Sequence, residues 1–133
     1  MWMLHTGHRT LREPTREQVL LVVQEAIAAG CGALSVEHEQ GPILVVVVGG
    51  ARAMVMRLAA AGDAGHHAIE LAASLEPSER YTLTNSQVDQ YADRDTVDTR
   101  HLVPIVTHFL ATLDRWPGMP WQNDESVDEV PTG

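Results

Sequence analysis

The stretch that decides the fold runs from residue 43 to residue 50 and reads Ile-Leu-Val-Val-Val-Val-Gly-Gly. Its first six residues are apolar and mostly β-branched, a pattern typical of a strand that is covered on both faces of a sheet. The two glycines that follow predict a tight turn. We therefore expect residues 43–48 to form a central strand.

Shorter strand-like segments lie on both sides of this stretch. Strands are predicted at residues 33–39, 54–58, 67–72, 80–84 and 119–122, with turns at residues 40–42 and 62–65. Short turns between successive strands favour antiparallel pairing. Residues 51–61 are also rich in Ala, Met and Leu, which favour helices, so a helix is the alternative there. Residues 1–4 are either a strand or an arm.

Two segments have the periodicity of helices. Thr15 and Gln18 form a capping-box pattern, and apolar residues then recur at spacings of three and four as far as Gly30. This pattern predicts a helix over residues 15–29, and a similar stripe predicts a second helix over residues 102–113. The fold class expected is α+β, an antiparallel sheet of about five to six strands with two helices packed against it.

The length and composition indicate one globular domain. The chain has 133 residues, of which 44% are hydrophobic. We expect residues 1–123 to form a single α+β domain and residues 124–133 to form an acidic flexible tail. The lone Cys31 excludes an intramolecular disulfide. Because neither a leader peptide nor a membrane-spanning stretch is recognisable, we expect a soluble, cytoplasmic protein.

The charge is negative and unevenly distributed. The chain has 18 acidic residues and 9 arginines, without any lysine, for a net charge of −9. Residues 67–133 carry 12 acids and 4 arginines, whereas residues 1–66 carry 6 acids and 5 arginines. Such a domain repels nucleic acids and anionic membranes, and it favours a basic protein partner. The sequence leaves the oligomeric state open.

The common motifs of catalysis and metal binding are absent from the sequence. It contains no Gly-x-Ser-x-Gly elbow, no Cys-x-x-Cys pair and no His-Glu-x-x-His motif. Two of the seven histidines, His101 and His108, are seven residues apart in the second predicted helix, about 10 Å along its axis, which is too far to share one ion. We therefore predict no cofactor, no metal ion and no enzymatic activity.

One acidic segment is the candidate for partner binding. Four aspartates and one tyrosine lie within ten residues: Asp89, Tyr91, Asp93, Asp95 and Asp98. An aromatic residue among acids is a plausible anchor against a basic protein. Two alternatives remain open: the segment is a structural turn before the second helix, or paired carboxylates serve a small hydrolase or isomerase.

The same segment carries a family resemblance. Residues 81–91 read Tyr-Thr-Leu-Thr-Asn-Ser-Gln-Val-Asp-Gln-Tyr, residues 94–97 read Arg-Asp-Thr-Val, and a helix ending in Phe-Leu-Ala-Thr precedes Pro117, Pro120 and Trp121. Residues 80–123, about a third of the chain, thereby resemble the first-numbered immunity-protein family of bacterial polymorphic toxin systems. That family commonly reads Asn-Gly-Gln-Val-Asp-Glu-Tyr-Pro, Arg-Asp-Thr-Val-Pro and a closing Pro-x-x-x-Trp. The departures here are Ser86 for Gly, Gln90 for an acid, and Ala92 and Asp98 for Pro.

The resemblance implies a cytoplasmic α+β protein without catalysis. It implies that the protein binds a cognate toxin in sibling cells and blocks the active site of that toxin, in some systems a nucleic-acid deaminase. A toxin that acts on nucleic acid has a basic substrate groove, which an acidic inhibitor can occupy. The rival hypothesis from a different class is a secretion chaperone or adaptor protein, which is also small, acidic and α+β.

Overall fold

The valine-rich stretch lies near the middle of a large antiparallel sheet. The computed structural model describes residues 1–124, and in these residues it contains an eight-stranded sheet, a separate two-stranded hairpin and two α-helices. The elements are β1 (Trp2–Thr6), β2 (Thr10–Arg12), α1 (Arg16–Ala29), β3 (Cys31–His38), β4 (Ile43–Gly49), β5 (Arg52–Leu58), β6 (His66–Ala68), β7 (Tyr81–Thr82), β8 (Val88–Asp89), β9 (Val97–Asp98), α2 (Leu102–Thr112) and β10 (Trp121–Asn123). The predicted α+β class is confirmed.

The order of strands in the sheet is β10-β6-β5-β4-β3-β1-β2, and β9 pairs with the start of β5. Residues 51–61 therefore contain a strand and not the alternative helix. Strand β5 pairs with β4 over its whole length, from Arg52 opposite Gly49 to Leu58 opposite Ile43. None of the described helices is both long and apolar enough to cross a membrane.

The sheet is covered on both faces, as the valine-rich stretch predicted. On the inner face, alternate residues of β4 such as Val46 and Val48 join α1 and α2 in the main core. On the outer face, Val47 packs with Met54 of β5 and with Tyr81 of the hairpin. Because side chains alternate along a strand, one apolar run supplies both cores.

Helix α1 has the predicted ends. Thr15 and Gln18 form both hydrogen bonds of the capping box, at 3.1 and 2.8 Å, and Gly30 ends the helix with a φ of 73°. Helix α2 follows a 3₁₀ turn, Thr99–His101, in which the Asp98 side chain accepts a hydrogen bond from the Arg100 N–H. Asp98 therefore caps the 3₁₀ turn that leads into the helix.

The prediction of a strand over residues 67–72 is wrong beyond Ala68. Strand β6 ends there because the next residues form hydrogen bonds outside the sheet: the Glu70 N–H donates to the Arg94 carbonyl, and its carboxylate binds Arg52. The strand predicted at residues 80–84 shortens to β7, which pairs with β8 as a hairpin. Strands β2, β8 and β9 are additional to those predicted.

The first residue of the predicted tail, Asp124, is held by contacts with the domain. Asp124 belongs to the folded domain, because its N–H donates to the Gly65 carbonyl and its side chain contacts His67. The rest of the predicted tail, residues 125–133, lies outside the described residues.

Gly49 determines how closely the hairpin can approach the sheet. A methyl group on Gly49 would collide with the Arg80 carbonyl oxygen and would lie 3.0 Å from two ring carbons of Tyr81. We expect Gly49→Ala to lower the free energy of unfolding by about 1–3 kcal/mol, as overpacking does in other cores. Urea denaturation measures this change. Gly7→Ala is the control, because nothing lies within 4 Å of its added methyl group. Equal stability of the two variants would contradict the tight fit.

Candidate functional site

The five residues predicted to bind a partner lie in a segment that covers part of the outer face of the sheet. Asp89 is in β8, Asp98 is in β9, and Asp93 and Asp95 are the ends of a short 3₁₀ turn between them. Tyr91 packs on the outer-face cluster. The structure thus brings the segment together as one ordered layer, and most of its carboxylates also have partners within the protein.

Arg52 is the centre of the hydrogen bonds that hold this segment. Its Nε donates to Thr96 Oγ1 at 2.7 Å, and its Nη2 lies 3.0–3.1 Å from the carbonyls of Thr96 and Asp93 and from Glu70 Oε1. Glu70 also accepts the Asp98 N–H at 2.5 Å. Arg52 is 15% exposed and Thr96 is fully buried, so these contacts are largely removed from water. The sequence contained a signal for this role, an arginine at the start of a largely apolar strand.

A second loop is attached to the segment through backbone hydrogen bonds. They run from the Glu70 N–H to the Arg94 carbonyl, from the Arg94 N–H to the Ser74 carbonyl, and from the Asp93 N–H to the Glu76 carbonyl. In addition, Asp93 Oδ1 accepts hydrogen bonds from the backbone N–H and the hydroxyl of Ser78, at 3.0 and 2.7 Å. We call residues 69–78 and 89–98 the paired loops.

Tyr91 is turned toward the protein. Its ring packs edge-to-face with Tyr81, with the ring centroids 5.1 Å apart, and its hydroxyl donates to Asp89 Oδ2 at 3.1 Å. Burial and this carboxylate raise the pKa of Tyr91 to about 12. Asp89 also accepts a hydrogen bond from the Gln87 side chain at 2.9 Å. These two predicted contact residues therefore help to hold the hairpin and the paired loops together.

His67 lies between two carboxylates. Its Nδ1 is 2.7 Å from Asp124 Oδ1 and its Nε2 is 3.0 Å from Asp95 Oδ1. Both nitrogens can donate only in the imidazolium form. Burial alone would lower the pKa of His67, but the hydrogen bonds to Asp124 and Asp95 outweigh burial, and the pKa is raised above its ordinary value of 6.5. The protonated ring thus joins the predicted residue Asp95 to the end of β10.

The raised pKa of His67 predicts a dependence of stability on pH. The folded protein holds the His67 proton more tightly than the unfolded chain does. The stabilisation is therefore complete below about pH 6.5 and is lost as the pH rises through the folded-state pKa. We expect the free energy of unfolding to fall as the pH rises above about 6.5, and to fall less in His67→Gln.

The comparison between wild type and His67→Gln separates the effect of His67 on stability from that of its neighbour, His66. Burial and Arg115 lower the pKa of His66. His66 therefore makes the free energy of unfolding rise with pH, and it does so in both proteins. Urea denaturation at a series of pH values measures the difference. If the difference in free energy of unfolding between the two proteins is independent of pH, the imidazolium bridge does not exist in solution.

The paired loops also present apolar side chains that the sequence did not mark as functional. Leu71 is 62% exposed and Leu75 is 69% exposed, both on the loop of residues 69–78. Val88, beside Asp89, is 55% exposed. The sequence does contain a signal for this surface: two leucines stand in a segment of small and polar residues. The strand prediction for residues 67–72 had assigned part of that segment to the sheet. Exposed apolar side chains within a polar rim are typical of the centre of a protein interface.

Comparison with known proteins does not assign the chain to a group. No protein-family model matches it, and no curated protein is significantly similar to it. Among residues 1–124, no three His, Cys, Asp or Glu side chains are placed so that they could hold one metal ion.

Proposed function

We propose that the protein is an immunity protein that binds a cognate bacterial toxin in the cytoplasm and neutralises it by covering its active site. The observation that carries this proposal is the surface of the paired loops, where Leu71 and Leu75 are exposed beside the acidic segment. An apolar centre with an acidic border is suited to a basic protein partner.

The hydrogen bonds of Arg52 make this surface suitable for tight binding. Each leucine that a partner buries contributes about 1.5–3 kcal/mol. A loop that must be ordered on binding loses part of that gain. Because Arg52 and Asp93 already hold the paired loops together, the protein presents the leucines with little further ordering.

The family-like segment supports the proposal through its local geometry. Residues 81–97 form the hairpin and the paired loop that cover the outer face of the sheet. Ser86, which stands where the immunity family has glycine, has a φ of 70°, a conformation that glycine adopts readily. The turn is closed by a hydrogen bond from the Leu83 N–H to the Gln87 carbonyl at 2.8 Å. At residue 86 the hairpin therefore has a backbone conformation that would suit the glycine of the family pattern.

The charge of the chain indicates the kind of toxin. Residues 67–133 have 12 acids and 4 arginines, and the paired loops lie in this half. A toxin that acts on nucleic acid, such as a deaminase, needs a basic substrate groove. An acidic protein that occupies this groove excludes the substrate, and the opposite charges accelerate the encounter.

The hydrolase or isomerase alternative required two carboxylates of the acidic segment in one pocket. Among the described residues, Asp95 lines a cavity with Asp124, whereas Asp89 is bound to Tyr91 and Asp93 to Ser78.

A secretion chaperone differs from an immunity protein in the part of the toxin that it binds. A chaperone would bind a targeting segment, and its binding would survive removal of the toxin domain.

Direct binding to the cognate toxin, which the family resemblance implies is encoded beside this gene, tests the proposal. We expect a dissociation constant in the nanomolar range or tighter for a catalytically inactive toxin domain, with association that slows as salt is added. Surface plasmon resonance with the isolated toxin domain, and with the full-length toxin lacking that domain, measures both. Binding to the full-length toxin that lacks the toxin domain, without binding to the isolated toxin domain, would contradict the proposal and favour a chaperone.

A further inference from the structure

A cavity of about 290 Å³ lies on the outer face of the sheet beside the paired loops. Its lining in the described residues is Met54, Met56, His67, Tyr91, Asp95 and Asp124. The two methionines of β5 and the Tyr91 ring are apolar, while the other three side chains are ionisable. The cavity therefore combines an apolar wall with charge at one side.

The charge in this cavity is not balanced within the protein. When His67 is protonated, the two carboxylates of Asp95 and Asp124 share one imidazolium, which leaves a net charge of −1. Each carboxylate uses Oδ1 for His67. In the described part of the chain, Asp124 Oδ2 is buried and has no hydrogen-bond partner, and Asp95 is half exposed. A buried carboxylate oxygen without a donor is costly, so the site favours a ligand that brings N–H groups.

We propose that this cavity binds an arginine side chain of the partner protein. The aliphatic stem of an arginine packs well against methionine side chains. Its guanidinium can lie against the Tyr91 ring and donate to the carboxylates with several N–H groups at once. A cation also neutralises the remaining negative charge. This proposal rests on the proposed function, since it names the group of the toxin that the surface recognises.

Other occupants fit the cavity less well. Residues 1–124 offer a metal ion no group of three suitable ligands here, and both ring nitrogens of His67 are directed at carboxylates and not at a common point. A lysine brings charge but no planar group for Tyr91 and no fork of donors for two carboxylates. Residues 125–133 contain three acids and no base, so this part of the chain has no cation to offer.

Methionine methyl groups provide a direct test on the full chain. With ¹³C-methyl methionine, Met54 and Met56 report on the cavity, while the chain's other methionines, Met1, Met3 and Met119, report on surfaces outside it. The probe is the peptide acetyl-Gly-Arg-Gly-amide. Its matched controls are the citrulline peptide, which keeps the shape without the charge, and the lysine peptide.

We expect the arginine peptide to shift the Met54 and Met56 signals saturably, with a dissociation constant on the order of 1 mM. The citrulline peptide should cause no saturable shift, and the lysine peptide should bind at least about fivefold more weakly. Asp95→Asn should weaken arginine binding at least about fivefold, whereas Glu25→Gln, an equal charge change on α1, should leave it unchanged. Absence of saturation, or equal binding of arginine and citrulline or of arginine and lysine, would overturn the proposal.

The peptide experiment requires no toxin, so its failure is distinguishable from failure of the proposed function. If the toxin binds but the arginine peptide does not, the immunity function stands and the arginine site is wrong. If the arginine peptide binds and the toxin does not, the site binds guanidinium groups but the proposed function is wrong.

Discussion

Arg52→Met should lower the free energy of unfolding by about 3 kcal/mol, the largest loss of stability that we expect from one substitution in this protein. Methionine keeps much of the apolar stem but removes every donor to Thr96, to Asp93 and to Glu70. These acceptors are buried or nearly so, and a buried acceptor that loses its donor is destabilising. Urea denaturation measures the change.

Arg94→Met is the matched control for this experiment. Arg94 is exposed and lies in the same loop, and it contributes backbone hydrogen bonds but no side-chain bond among the described residues. We expect its stability to remain within about 0.5 kcal/mol of wild type. Hydrogen exchange adds a local test, because the Asp98 N–H, which donates to Glu70, should exchange faster only in Arg52→Met. If both variants are equally stable, the bonds of Arg52 do not hold the paired loops.

The double variant Leu71→Ala, Leu75→Ala should weaken toxin binding by at least about a hundredfold while leaving stability nearly unchanged. Truncation of each leucine removes apolar area that the toxin would bury, at a cost of about 2 kcal/mol each, or more than tenfold in affinity. Because both side chains are more than half exposed in the free protein, their loss should not disturb the fold. Surface plasmon resonance and urea denaturation measure the two effects.

Leu21→Ala tests whether any exposed leucine would have the same effect. Leu21 is 55% exposed but lies on α1, outside the paired loops. We expect wild-type affinity from this variant. Wild-type affinity of the double variant would place the interface elsewhere, and equal weakening by Leu21→Ala would show that the effect is not specific to the paired loops.

The sequence was most informative where one local pattern determined the structure. The run of residues 43–48 predicted a strand covered on both faces, and β4 has this position because its alternate valines enter two clusters. The capping box at Thr15 and the glycine at residue 30 predicted the ends of α1. In these segments the hydrophobic periodicity and the end signals agree with the packing.

The sequence was least informative where long-range contacts determine the backbone. Nothing local indicates that Glu70 leaves the sheet, because the cause is Arg52, eighteen residues earlier in the chain. Likewise β9 is a two-residue strand whose existence depends on pairing with the start of β5. Such contacts have no signature in composition or periodicity, so the strand predicted at residues 67–72 was too long.

The charge pattern located the candidate site, but it did not show what each residue of the site does. Asp93 and Asp98 were predicted to contact a partner, but Asp93 also joins the two loops through Ser78, and Asp98 also caps the 3₁₀ turn through the Arg100 N–H. The uneven distribution of charge identified the acidic segment, because a cluster of acids can be seen in the sequence alone. Leu71 and Leu75 were not identified, because exposure of an apolar residue is known only once the surrounding chain is placed.

Survival of cells that express the proposed cognate toxin tests toxin neutralisation most directly. The toxin is expressed alone, with this protein, or with the Leu71→Ala, Leu75→Ala variant, at matched levels confirmed by immunoblotting. Toxin neutralisation through the paired loops predicts growth with the wild-type protein and death or slow growth with the variant. Death of the cells at matched expression of the wild-type protein would contradict it.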